Sequence, residues 1–214
     1  MLLRLGFAAR CNLGGSAMAD TPEWPAYQTG PKDSIFALGV ISTNYARLEF
    51  ATQGMFTSIL GMNMTVGHLI FSRLGPEMRD VMMRQALQVR GWPENVGDLG
   101  YHFILAHKIC YENRNKLMHS NIMVGSERAI LLYKTDRSGK TTATNPTLKE
   151  LRQVADDMHT YTGFGMWMSN MINADILGIK PEPGDRWHAA WPDKPPLPIP
   201  LEYTSDPSPI RSLD

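Results

Sequence analysis

The sequence predicts a mainly α-helical protein, an up-and-down helical bundle with a small β-hairpin insertion before the last helix. Three observations carry that expectation. Apolar residues recur at helical spacing over long stretches between Ser34 and Leu177. Residues 121–144 break this period into short β-branched and apolar runs around a turn. Nine of the 15 prolines follow Lys180, too densely for a helix or a central strand. The chain therefore divides into a lead-in (1–33), a helical domain (34–178) that includes the 121–144 insertion, and an extended Pro-rich tail (179–214).

The first helix is expected from Ser34 to Leu60, with Leu38, Ile41, Tyr45, Leu48, Met55, Phe56 and Ile59 on its apolar stripe and Gly61 ending it. A second begins near Thr65 and breaks at Gly75-Pro76. Pro76 suits the first turn of a third helix reaching about Arg90. Arg79, Arg84 and Arg90 on that helix read as a solvated basic face. After a turn at 91–94, a fourth helix from Asn95 to His119 carries Phe103, Ala106, Cys110 and Leu117. Residues 121–124 and 129–133 read as strands, 135–140 as a hairpin turn, and 141–144 as a returning partner. Thr147 and Glu150 fit a capping box, in which each side chain binds the other residue's backbone amide. The last helix then runs to about Leu177, with Gly163 and Gly165 expected at a close helix crossing. The tail is extended, and lies either on the domain or free of it.

A length of 214 residues suits one domain with tails. With 21 basic and 21 acidic residues, the zero net charge argues against a general electrostatic nucleic-acid binder, while leaving room for a local phosphate site. Two cysteines, Cys11 and Cys110, make no disulfide framework, which points to a reducing cytoplasm. No apolar run reaches the roughly 18 residues of a membrane span. The basic first residues read as sequence upstream of a start at Met18. His102 and His107 are five apart, with His68 and His159 on other segments, so neither a metal site nor a cofactor is expected. Ser138 to Thr142 reads as a turn, since a phosphate-binding loop would need further glycines and a flanking strand and helix.

Chemistry concentrates at Arg114-Asn115-Lys116-Leu117-Met118-His119. Arginine is a permanent cation that grips phosphate through two parallel hydrogen bonds. Histidine exchanges protons near neutrality. Asn115 and His119, four apart, share a helix face. Arg114 and His119, five apart, diverge by about 140° on an ideal helix. They converge only if the last turn loosens, or if a second chain completes the site.

Arg114 to His119, in a helix that follows a first helix containing Leu48-Glu49, resembles the Arg-x4–6-His motif of HEPN domains. These are all-helical bundles found in ribonucleases, toxin–antitoxin pairs and defence proteins. The resemblance spans roughly 34–178 in helix order, but only the short motif is specific. It implies a homodimer that cleaves RNA without a metal. His119 would deprotonate the ribose 2′-hydroxyl, Arg114 would bind the scissile phosphate, and Asn115 would hold the imidazole or the phosphate. Glu112, Tyr111 and Lys116 are neighbouring candidates for substrate binding. It equally admits a non-catalytic module that binds a nucleotide, RNA, a cognate antitoxin or another partner protein. Arg114 would then pair with Glu112 or Glu49, and His119 would merely face the helix dipole.

Overall fold

The computed structural model describes residues 30–124, 130–135, 139, 141–176 and 191–202. The expectations for Met18 and Cys11, and for the tail beyond residue 202, lie outside them. Among the described residues the order is α1 (Lys32–Leu60), α2 (Met64–Arg73), α3 (Pro76–Val89), α4 (Glu94–Met118), β1 (Asn121–Val124), β2 (Ile130–Thr135), β3 (Thr141–Thr144) and α5 (Leu148–Ile176). Local signals set the boundaries. Gly61 closes α1 at φ 62°, a left-handed conformation that suits glycine. The Asn63 side chain accepts from Thr65 N at 2.9 Å and caps α2. Pro76 opens α3 at its first turn. At α5 the expected box forms: Thr147 N donates to Glu150 Oε2 at 2.7 Å, and Glu150 N donates to Thr147 Oγ1 at 3.2 Å.

The insertion forms the expected antiparallel hairpin pairing before the last helix, and with 141–144 returning beside β2 it is a three-stranded sheet in the order β1-β2-β3. The third strand pairs because Thr141–Thr144 returns beside β2, bringing Thr144 opposite Leu132. Leu132 is fully buried, and β2 packs on α4.

Cross-helix contacts reveal the helix directions. Glu49 and Tyr45 of α1 meet His107 and Arg114 of α4, so these two helices are antiparallel. His102 of α4 meets Tyr161 of α5, while Cys110, further along α4, lies within electrostatic reach of Asp157, earlier in α5, so α4 and α5 are antiparallel too. Asn44 donates to Ala155 O at 2.9 Å and Ser58 bonds Ser169 at 2.8 Å, so α1 and α5 run parallel. Glu49 meets Arg79, and Ile59 meets Arg90, so α3 also runs parallel to α1. The strict up-and-down order therefore holds only from α3 onward. The short α2, bent 117° from α1, returns the chain so that α3 starts in the direction of α1.

α1 and α5 share the most extensive helix contact, and α4 lies against both. Of the two glycines expected at a crossing, only Gly165 serves one: an added Cβ would lie 2.5 Å from the Phe103 ring. Gly163 faces open space. The described part of the tail lies on the domain. His102 bonds Pro195 O at 2.9 Å, and Tyr161 Oη donates to Pro195 O and Pro196 O at 3.1 and 3.2 Å. Asn113, buried in α4, donates to Ile199 O at 2.9 Å and accepts from Leu201 N at 2.8 Å. A side-chain amide thus takes the place of a strand partner for the tail backbone. No single helix among the described residues is long and apolar enough to cross a membrane.

Candidate functional site on the polar face of α4

Arg114 and His119 meet within one chain. Arg114 Nη1 lies 2.6 Å from His119 Nε2, a hydrogen bond in which the guanidinium donates and the imidazole accepts. The helix end explains how the divergence is overcome. His119 sits at the C-cap with φ −109° and ψ 13°, outside helical geometry, while its N–H still bonds Asn115 O at 3.2 Å. The loosened turn and the long Arg114 side chain bring the pair together, with no second chain needed. His119 is exposed and Arg114 half-buried.

Two neighbours hold the guanidinium. Asn115 Oδ1 accepts from Arg114 Nη1 at 3.1 Å, so Asn115 positions the arginine rather than the histidine. The Tyr45 ring lies 5.4 Å from Arg114 Cζ, a cation–π contact. Tyr45 Oη in turn donates to Glu49 Oε1 at 2.9 Å. Burial, followed by the charge and hydrogen bond of Glu49, pushes the Tyr45 hydroxyl far above its usual range, so it stays protonated and donates.

From Tyr45 the polar contacts continue inward. Glu49 Oε1 also lies 3.2 Å from His107 Nε2, and Glu49 Oε2 accepts from Arg79 Nη1 at 3.0 Å. Burial alone would raise the Glu49 pKa. The His107 and Tyr45 hydrogen bonds and the charges of His107 and Arg79 outweigh it, and the carboxyl is lowered to about 2. Arg79 is fixed at both ends of its fork, donating to Phe71 O at 3.0 Å with Cζ 3.8 Å from the Phe71 ring. It is thus an interior tether, not the solvated cation expected. His107, its side chain 2% exposed, also faces Asp80 across 3.9 Å.

The other sequence candidates separate. Lys116 Nζ donates to Leu201 O at 2.5 Å and so holds the tail. Glu112 is exposed, 4.0 Å from Lys108. Tyr111 and Glu112, less than one turn before Arg114, line a cleft between α3 and α4. Glu49 does not pair with Arg114 directly; Tyr45 stands between them. Cys110 is buried, and burial pushes its thiol up to about 12, so it has no nucleophilic role. Among the described residues no three His, Cys, Asp or Glu side chains gather as a metal site.

From sequence, Glu49 is expected only as an alternative partner of Arg114, Arg79 as a solvated cation and His107 as a histidine outside any metal site, and Asp80 is not singled out. The single local signal was Glu49 following Leu48; the rest comes from tertiary packing. Compared with protein-family models, curated proteins and solved structures, the chain gives no significant match.

Proposed function

We propose that the chain is a HEPN-like, metal-independent endoribonuclease whose working pair is Arg114 and His119. The observation that carries this reading is their direct contact at 2.6 Å on an exposed helix end. An entering phosphate draws Arg114 away from His119 and frees the Nε2 lone pair. His119 then takes the 2′-hydroxyl proton, the oxygen attacks the adjacent phosphorus, the P–O5′ bond breaks, and the leaving 5′-oxygen takes a proton from solvent water. The product end is a cyclic phosphate. Arg114 offsets the charge growing on the phosphoryl oxygens, and Asn115 and Tyr45 keep it aimed. Working as a homodimer in a cytoplasmic toxin–antitoxin or defence setting belongs to the same proposal.

The test is RNA cleavage by the purified full chain in the presence of a chelator. Cleavage that disappears in both Arg114→Ala and His119→Ala, with helicity unchanged, supports the roles. Cleavage that survives both sinks them. One observation favours a second reading, a non-catalytic nucleotide-, RNA- or protein-binding module: the Nε2 lone pair that a base needs is occupied by Arg114. That reading predicts saturable RNA or nucleotide binding with no product formed.

A further inference from the structure

The cleft between α3 and α4 encloses about 280 Å³, and its inner wall holds two buried polar atoms, His107 Nδ1 and Asp80 Oδ1, neither with a hydrogen-bond partner among the described residues. Their roles follow from the network behind them. Ionised Glu49 accepts from His107 Nε2, so that nitrogen carries a hydrogen, and whenever the ring holds a single hydrogen Nδ1 is left as an acceptor. Asp80 Oδ1 is an acceptor too. At 3.9 Å they are too far apart to bond one another, and two acceptors have no hydrogen to share. Yet a donor nitrogen bonds at about 2.9 Å, so one amino group can reach both across the gap. Leaving both unpaired is costly, since each buried polar group without a partner has given up its hydration for nothing in return.

The walls narrow the chemistry further. Tyr111 provides an aromatic side of the cleft. At the rim Arg84 and Lys108 are balanced by Glu77 and Glu112, so selection falls to the two acceptors on the inner wall. His107 stands seven residues before Arg114 on the same helix, about 10 Å along the axis. A base entering here would belong to a nucleotide near the one held by Arg114.

We infer that this cleft is a nucleobase subsite that selects bases with an exocyclic amino group, through Asp80 Oδ1 and His107 Nδ1, and rejects a carbonyl at the same position. It deepens the ribonuclease reading by giving that site a base preference, and it rests on that reading only for its biological use. A carbonyl oxygen in place of the amine would turn its lone pairs toward two acceptors. Discrimination then follows from repulsion as well as from lost bonds.

The experiment is calorimetric titration of the full chain with AMP against IMP, and CMP against UMP, pairs that swap amine for carbonyl. Losing a hydrogen bond to a charged acceptor predicts binding weaker by about tenfold or more for IMP and UMP. Asp80→Asn should weaken AMP by a similar factor, while a histidine ring NMR titration reports AMP at His107. Because the nucleotide pairs leave the protein unaltered, misfolding of the variant cannot obscure the outcome. Equal affinity within each pair, or no binding of AMP and CMP, overturns the subsite and leaves the two acceptors to a structural water. RNA cleavage without base preference alongside equal affinities overturns the subsite but spares the ribonuclease reading. Amine-selective binding without any cleavage does the reverse.

Discussion

The polar face of α4 has two ends, each carrying a histidine, and they differ in what surrounds the ring. At the outer end, exposed His119 touches a single cation, Arg114, where the helix has already lost its geometry. At the inner end, His107 is locked against Glu49, which also binds Arg79 and Tyr45. The same side chain serves access in one place and rigidity in the other. The difference is built from what α1 and α3 bring to α4, and Tyr45 links the ends by touching Arg114 with its ring and Glu49 with its hydroxyl.

Substitutions at the two ends should separate activity from stability. Removing Arg114 or His119 should lower RNA cleavage by about 10²–10⁴-fold, as expected for loss of acid–base or charge-stabilising groups. Chemical denaturation should then show a stability change under about 1 kcal/mol, since both lie at an open helix end. Glu49→Ala should do the opposite and destabilise the fold by about 3–5 kcal/mol in the same measurement, because it strands the Arg79 charge against a buried histidine. A loss below about 1 kcal/mol would erase the contrast between the ends.

Acid should act on the inner end first. Glu49 titrates lower in the folded chain (about 2) than its ordinary value of 4.5. Its contribution is therefore complete above pH 4.5 and fades as the pH falls toward about 2. The shift corresponds to roughly 2–3 kcal/mol after allowing for partial exposure. Denaturation midpoints between pH 5 and pH 2 in wild type and Glu49→Gln would show it, and Glu49→Gln should flatten the slope. The smallest effect is expected at Asp80, whose carboxyl burial pushes up. Because the folded state disfavours its charge, Asp80→Asn should change stability by less than about 1 kcal/mol, or raise it.

Much of this was legible in the sequence, for reasons that differ by residue. Helical spacing located all five helices within a few residues, and Thr147–Glu150 announced the start of α5 because a capping box is written within four positions. The Arg114–His119 pair was legible as residue types but not as geometry, since ideal helical rotation sets them apart and only the C-cap conformation of His119 rejoins them. The third strand was visible as a β-branched run whose partner was not fixed. Glu49, Arg79, Asp80 and His107 were hidden because their meeting depends on α2 redirecting α3, and no local pattern encodes that turn. The grip of Asn113 on the tail was hidden likewise, a polar residue in a helix whose partners lie 86 and 88 positions on.

The parallel pairing of α1 with α5 has a consequence for biosynthesis. Asn44 and Ala155, which bond in the finished fold, are 111 positions apart. At roughly 5–20 residues per second, α1 waits about 5–20 s on the ribosome before its main partner is made. During that interval the apolar stripe of α1 has only α2 to α4 to cover it, and closing so long a loop slows the final docking. Nascent chains stalled before α5 should therefore be open to proteases along α1, and gain protection only when the last helix emerges.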